Sequence, residues 1–357
     1  MAGSMITLAG FVVTAITLVV QTVQATSPPR LVSALGHFSR YLILFGLLIG
    51  TALYALVALS HVRGPSVPRL SVTLAVGLVL IDAVAVLYLL ATLRHAVTGG
   101  GLARAVGARL RTVIDETSPA ATAEPPVPGA SRRPDEEVTV VHDGRPAVVH
   151  AVDERRLTRL AARHDIRVRL LQPPGAFVGT HAEIARLECS GTGAAPPRLV
   201  RQVASCVRYG PSRTLRQDTA YGFRLLADIA IRALSPAVND PTTAVQTLDQ
   251  IEEALLRLAD RPLGPVWLLD TAGLPRVARP APDWHDLLST ALDETLLYGT
   301  GHPQVVRRLR ALLDRLLTTV PEERGAPVLE RRDALEHLTA AALPDPLFGD
   351  LARRPDP

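Results

Sequence analysis

The residues that could do chemistry fall into two groups, and the first lies within long apolar runs near the N-terminus. Thr7, Thr14, Thr17 and Gln21 recur at spacings of seven, three and four, which places them along one stripe of a helix. Asp82 is a lone carboxylate inside a later run. A carboxylate near the centre of a bilayer costs ~2.5–3.5 kcal/mol, so Asp82 is expected to face protein or water.

Two interpretations of this first group stay open. In one, the stripe lines a permeation path and Asp82 relays an ion or a proton. In the other, the stripe packs against a neighbouring helix and Asp82 pairs with one of its hydroxyls, because lipid cannot satisfy polar groups.

The second group is concentrated between residues 218 and 244. Its members are acids, arginines and an amide that could converge near a helix–turn–helix and bind a small anion, a partner helix or another subunit. The alternative is an i,i+4 ladder of opposite charges plus two helix caps, worth a few tenths to about 1 kcal/mol each. The residues are Asp218, Arg224, Asp228, Arg232, Asn239 and Asp240.

No other motif predicts catalysis, so we expect no enzyme, no cofactor and no metal site. Gly-rich phosphate loops and nucleophile elbows are absent from the sequence. Four histidines have no partners at metal-ligand spacing: His142, His150, His164 and His181. Cys189 and Cys206 lack that spacing too and are predicted to be buried in a reducing compartment.

The charge balance argues against nucleic acid as a partner. The formal net charge is +4, and all of the basic residues are arginine, with no lysine in the chain. The arginines are interspersed with acids rather than clustered, which is not the footprint of a nucleic-acid-binding surface.

The elements that would position the first group are three apolar runs at about residues 4–24, 41–60 and 70–93. Each is long enough to cross a ~30 Å hydrocarbon layer as a helix. We therefore predict an integral membrane α-helical fold with three spans, or a four-span bundle that lacks its first span, joined to a mainly helical α+β cytoplasmic domain.

The arginines that follow the third run orient the predicted spans. Arg94, Arg104, Arg109 and Arg111 place this region, and hence the C-terminal domain, in the cytoplasm. This corresponds to a multi-pass protein of the plasma (inner) membrane. The alternative is a secretory signal in residues 1–25, but that would need a positively charged start, which the sequence lacks.

The remainder divides by composition and periodicity. Residues 96–137 are predicted to be a basic juxtamembrane segment and Pro-rich linker, and 138–190 a small α+β or barrel-like subdomain containing a β-hairpin that turns at Asp143-Gly144. Residues 191–345 are predicted to be helical, with Asp240 as an N-cap, and 346–357 a tail.

Several motifs resemble one uncharacterised bacterial family of predicted membrane proteins, the domain of unknown function DUF2254. The main motif is Asp218-x-x-Tyr-Gly-Phe-Arg-Leu-Leu-Ala-Asp228 continuing through Asn239-Asp240-Pro to residue 244. Residues 4–10 with 27–30, Pro174-Gly175-x-Phe177-Val178 and Gly210-Pro-x-Arg213-Thr214 also fit. The resemblance implies an inner-membrane protein with a cytoplasmic domain and no established activity. Family members usually have one more apolar span before the segment matching Ser4.

Two functions follow as hypotheses. The first is a homo-oligomeric membrane assembly, channel- or transporter-like, whose cytoplasmic domain organises or gates it. The second is a membrane-anchored sensor or scaffold that binds a ligand or protein through residues 218–244. The lipid bilayer is the expected partner in both.

Overall fold

The computed structural model describes residues 38–60, 69–97, 99–118, 136–189 and 195–355. The chain forms two compact units, an N-terminal unit of Met1–Ala105 and a C-terminal unit of Val106–Pro357. The chain passes from one to the other within a single helix, α3 (Gly99–Thr117).

Two helices, α1 (Phe38–Ser60) and α2 (Arg69–Val97), pack against each other in the N-terminal unit. Tyr54 on α1 donates a hydrogen bond of 3.4 Å to the carbonyl of Ser71 on α2. Both helices keep many large apolar side chains exposed, of which Leu70, at 88% exposure, is the extreme case.

The prediction of a three-span membrane bundle is wrong. The second and third apolar runs, at 41–60 and 70–93, do form α1 and α2, but no described helix has the combined length and hydrophobicity to cross a membrane. The first run, at 4–24, lies outside the described residues.

Among the described residues of the C-terminal unit, eight strands form two sheets within a mixed α/β fold. One sheet has the order β1-β5-β3-β8-β7 and the other β4-β2-β6. All neighbours are antiparallel except β3 and β8, which are parallel. The strands are β1 (Glu136–Val141), β2 (Ala147–Val152), β3 (Ile166–Leu170), β4 (Phe177–Val178), β5 (Glu183–Cys189), β6 (Val207–Gly210), β7 (Val266–Leu269) and β8 (Pro275–Arg279).

The predicted hairpin is wrong in its pairing, although both of its strands form. Strand β1 pairs with β5, placing Val138 opposite Leu187, whereas β2 belongs to the other sheet and pairs with β4 and β6. Alternating apolar residues make a strand but do not select its partner. The selection comes from the core between the sheets, where Val140, Val149 and Leu187 are buried together.

The five-stranded sheet also takes in the segment 266–279, which lies within the part of the chain predicted to be helical. Strands β7 and β8 pair through a turn, and Val277 joins the core between the sheets. Two short helices complete this layer, α4 (Glu154–Arg163) and α5 (Pro197–Ala204). Cys189 and Cys206 are buried and free, as predicted.

The other described elements of the C-terminal unit are helices and helical turns. Helix α6 (Thr219–Ala233) packs on α7 (Pro241–Leu258), and α7 packs on α10 (Pro303–Thr319). The prediction that Asp240 caps a helix beginning at Pro241 is confirmed, since its carboxylate accepts the N–H of Thr243. The other elements are α8 (Trp284–Leu288), a π-helical turn at Ser289–Asp293, α9 (Glu294–Gly299), a 3-10 turn at Glu322–Arg324, α11 (Gly325–Ala342) and α12 (Pro346–Arg353).

The C-terminal half of α3 is built into this helical layer. Leu110, Val113 and Ile114 are fully buried. Close contact with α6 depends on Gly222, because a Cβ there would lie 2.5 Å from Cδ1 of Leu110. The end of α3 is therefore a core element of the C-terminal unit.

Candidate functional site

Asp218 is the centre of the polar arrangement at the start of α6. Its side chain caps the helix by accepting the N–H of Tyr221 at 2.9 Å. Arg213 donates two hydrogen bonds of 2.9 Å to the same carboxylate, from Nε to Oδ2 and from Nη2 to Oδ1. The Arg213 guanidinium also lies over the Tyr221 ring, 4.9 Å from its centroid. Asp218 is only 5% exposed, and its charge is thus neutralised within a fixed geometry.

Gly175 closes this arrangement from the other side. It has a φ of +92°, and a Cβ at this position would lie 1.9 Å from Oδ2 of Asp218. Only glycine fits both the left-handed backbone and the contact. Three segments of the family-like motifs, at Gly175, Arg213 and Asp218, therefore meet at one point, which the sequence could not show.

An open cleft lies beside the capped end of α6. Asp218 and Thr219 line one side, the end of α3 at Thr117 and Ser118 lines another, and Arg279 at the end of β8 lines a third. Gln217 lines it as well, with its amide bonded to the backbone of Val152. The remaining wall is largely apolar and rich in proline: Pro173, Pro174, Pro262, Pro280 and Pro282. Prolines have no N–H, so hydrogen-bond donors in this cleft come from a few side chains and the first turn of α6.

Arg279 is the buried cation of the cleft. Its side chain is 7% exposed, and its Nε lies 3.1 Å from a carboxylate oxygen of Glu154. That contact does not have hydrogen-bond geometry, and Nε has no hydrogen-bond partner among the described residues. The guanidinium donates one long hydrogen bond, from Nη2 to the carbonyl of Thr117 at 3.5 Å. No sequence motif points to Arg279, because its position depends on strand β8, which pairs in parallel with β3.

Two further arginines hold the end of α3 at this cleft. Arg257 makes two hydrogen bonds of 2.7 Å to the carboxylate of Asp115. Arg261 bonds to Asp115 at 2.7 Å and to the backbone carbonyls of Ile114 and Ser118 at 3.1 and 2.6 Å. The hydrogen bonds from Arg257, with those from Arg261, lower the pKa of Asp115 to about 2. Cations at the C-terminus of a helix also interact favourably with its dipole.

The hydroxyls of Thr117 and Thr219 connect α3 to α6 directly. Their Oγ1 atoms lie 3.3 Å apart in a hydrogen bond. Thr117 Oγ1 also donates to the carbonyl of Val113 at 2.7 Å. We define the α3 clamp as these contacts of Asp115, Thr117 and Ser118 with Arg257, Arg261 and Thr219.

The structure distributes the other members of the 218–244 group along α6 and α7. Arg224 bonds to Glu294 on α9, and Asp228 and Arg232 both make interactions further along α6. Asn239 has a φ of +46° in the turn before α7, where Asp240 is the cap. Since α6 has 15 residues, at about 1.5 Å each, Asp218 and Asp240 mark opposite ends of a helix and are not brought together.

The group predicted in the apolar runs is described only in part. Thr7, Thr14, Thr17 and Gln21 lie outside the described residues. Asp82 is fully buried, and neither of its carboxylate oxygens has a hydrogen-bond partner in the described part of the chain. Thr51 on α1 is likewise buried with an unpaired hydroxyl.

Two of the four histidines, His142 and His150, bond to backbone carbonyls. Within the described part of the chain, no group of His, Cys, Asp or Glu side chains could hold a metal ion. His142 packs 4.3 Å from the ring of Tyr209 and bonds to the carbonyl of Arg145. Burial raises the pKa of Tyr209 to about 12. His150 bonds to the carbonyl of Ser212.

Comparison with known proteins gives a family but no activity. A family described as "Predicted membrane protein (DUF2254)" matches residues 1–315, which include all of the cleft residues named above. Uncharacterised proteins of Mycobacterium bovis and of Mycobacterium tuberculosis strain H37Rv are each 30% identical over 258 residues, covering 70% of this chain and 48% of the relative. The chain thus spans about half the length of these curated relatives. No solved structure matches significantly.

Proposed function

We propose a function from one premise: the chain belongs to the DUF2254 family of predicted membrane proteins. The proposed function is that of a membrane-associated sensor or scaffold. In it, the C-terminal unit binds a ligand or a protein partner at the cleft beside the start of α6, and α3 carries the effect of binding to the N-terminal unit.

The apolar surface of α1 and α2 supports the membrane association. Leu53, Val84 and Leu87 are 58%, 67% and 66% exposed. Exposed apolar surface of this kind marks protein–protein or membrane contact. We propose that these side chains contact lipid, and that the C-terminal unit lies on the cytoplasmic side of the membrane.

The observation that carries the sensor function is the double role of the end of α3. Thr117 and Ser118 line the cleft, and the α3 clamp holds this same end through Arg257 and Arg261. The chain enters the C-terminal unit within α3. A ligand in the cleft would therefore touch the end of the connecting helix.

Hydrogen exchange of the full chain, in detergent or nanodiscs, tests this coupling without a known ligand. Asp115→Asn removes the charge that both clamp arginines share and should speed exchange in residues 106–118. The sensor function further requires faster exchange in peptides of α2. If exchange rises in 106–118 while α2 stays as in the wild type, the two units are uncoupled and the proposal fails.

Arg224→Gln is the matched control. It breaks an arginine–carboxylate pair on α6, with Glu294, that does not touch α3. Its exchange in 106–118 and in α2 should equal that of the wild type.

A second candidate is favoured by Asp82. We propose, as the alternative, a homo-oligomeric channel- or transporter-like assembly in which this buried carboxylate, with no hydrogen-bond partner among the described residues, lies beside the path of an ion. Buried ionisable groups without partners are costly and are retained for function. Ion flux into proteoliposomes, lost in Asp82→Asn while the oligomeric mass is kept, would support it, and unchanged flux would exclude it.

A further inference from the structure

The cleft contains a cation whose hydrogen-bonding capacity is largely unused. A guanidinium has five N–H donors, and buried polar groups are nearly always satisfied. Among the described residues, Arg279 makes a single hydrogen bond, at 3.5 Å to Thr117, and an ion contact with Glu154 that lacks hydrogen-bond geometry. Its side chain is nevertheless 93% removed from solvent, since 7% is exposed. A buried arginine in this state, facing an open cleft, indicates a missing acceptor.

We propose that the cleft binds a small oxyanion, a phosphate or carboxylate group, with Arg279 as its main ligand. This rests on the proposed function, in that it names the ligand class of the same cleft. The planar guanidinium fork matches the paired oxygens of a carboxylate or phosphate and can donate two parallel hydrogen bonds.

The other groups around the cleft are compatible with a bound anion. Asp218 is the acid that lines it, and both of its oxygens are occupied by Arg213. The N-terminal end of the 15-residue helix α6 supplies further donors. Within the described ranges, Glu154 is the carboxylate that competes for Arg279.

Glu154 gives the proposal an opposite-sign test. If Arg279 only links β8 to α4, then Glu154→Gln should weaken the fold and change no binding. If Arg279 is an anion ligand, Glu154→Gln frees the guanidinium and should tighten anion binding, because a competing carboxylate is removed.

The experiment measures binding to the full chain in phosphatidylcholine nanodiscs. Inorganic phosphate and succinate are titrated at constant ionic strength against chloride, with thermal shift and calorimetry as readouts. The proposal predicts saturable binding of at least one of them, weakened about tenfold or more in Arg279→Gln and tightened in Glu154→Gln. Arg279→Lys keeps the charge but loses the fork, so it should also bind more weakly and covers the case in which Arg279→Gln does not fold.

Arg276→Gln is the matched control on the same strand. Arg276 is 13% exposed and pairs with Asp165 and Asp270, away from the cleft lining, so its anion binding should equal that of the wild type. Nanodiscs containing phosphatidylglycerol, without soluble anion, distinguish the source: a shift that depends on Arg279 there identifies a lipid headgroup.

The proposal is overturned if neither probe nor the anionic lipid gives a shift beyond chloride, or if Arg279→Gln and Arg279→Lys bind as the wild type does. Its failure is separable from that of the sensor function. Loss of anion binding with intact coupling between 106–118 and α2 would overturn the ligand class alone. Anion binding without that coupling would overturn the sensor function and leave the site.

Discussion

Replacing Asp218 should test whether the main family-like motif is structural. Asp218→Ala removes an N-cap, worth about 1 kcal/mol. It also removes the bidentate pair with Arg213, whose side chain is 37% exposed, so that solvent limits this loss to about 1 kcal/mol. We therefore expect the free energy of unfolding to fall by about 2 kcal/mol in total.

Two further variants help to interpret that total: Asp218→Asn removes mainly the pairing with Arg213, and Asp240→Ala gives the cost of losing a comparable cap on another helix. Asp218→Asn keeps an oxygen for the N–H of Tyr221 but places an amide opposite Arg213, so it should cost about 1 kcal/mol. Asp240→Ala removes a cap of the same type, with bonds to Thr243 N and Oγ1 of 3.0 and 2.6 Å, and should also cost about 1 kcal/mol.

Denaturant unfolding followed by tryptophan fluorescence is the assay. The two tryptophans, Trp267 and Trp284, both lie in the C-terminal unit, so the signal reports on that unit. A loss below about 0.5 kcal/mol for Asp218→Ala would refute the explanation that Asp218 stabilises the fold as a helix cap and as the partner of Arg213. The motif would then have to be explained by function, as in the first interpretation of its acids and arginines.

Three other predictions use the same assay. Gly175→Ala should lower the free energy of unfolding by about 3 kcal/mol, since it forces Asp218 away and strains a φ of +92°. The control Gly273→Ala, at φ +78° with nothing within 4 Å, should cost about 1 kcal/mol. Equal costs would show that the contact with Asp218 does not cause the loss at Gly175. The pKa of Asp115 in the folded state is about 2, below its ordinary 3.8, so the stability it contributes is fully present above pH 3.8 and is lost as the pH falls towards 2. Because 41% of its side chain is exposed, that contribution is about 1 kcal/mol. The difference in unfolding free energy between the wild type and Asp115→Asn should therefore vanish at low pH. Glu252→Ala should lower the free energy of unfolding by about 3 kcal/mol, because it leaves Arg308, buried between α7 and α10, without one of its two carboxylate partners. A cost near zero would mean that the other partner, Asp249, satisfies Arg308 alone.

Local features of this fold could be predicted from sequence, and long-range ones could not. The cap at Asp240 and the proline after it depend on neighbouring residues, and the helices near 154–163 and 303–319 follow their own apolar periodicity. The partners of β1 and β2 depend on residues 183–189 and 207–210, which no local pattern connects to them. The span prediction was wrong, since no helix among the described residues is long and apolar enough to cross a membrane.

The candidate site shows the same division. Asp218 was identifiable as polar and adjacent to a helix, but its partners Gly175 and Arg213 are joined to it only by the fold. No sequence motif could identify Arg279 as part of a site, because an arginine followed by proline is common in a chain whose basic residues are all arginine. Its significance lies in its burial and its few partners, which are properties of the packed structure.

The geometry gives the motif residues and Arg279 different roles. Arg213 and Asp218 satisfy each other, so adding a ligand to them would break existing bonds and bring little net gain. Arg279 has donors to spare, so a ligand there would replace no strong hydrogen bond among the described residues. The motif is thus best explained as the part that holds the start of α6 beside the cleft, while the binding energy would come from a residue outside it. This reasoning predicts that Arg213→Gln lowers stability with little change in phosphate affinity, and that Arg279→Lys does the reverse. If both variants shifted stability and affinity in parallel, the two roles could not be separated and the motif itself would have to be part of the binding site.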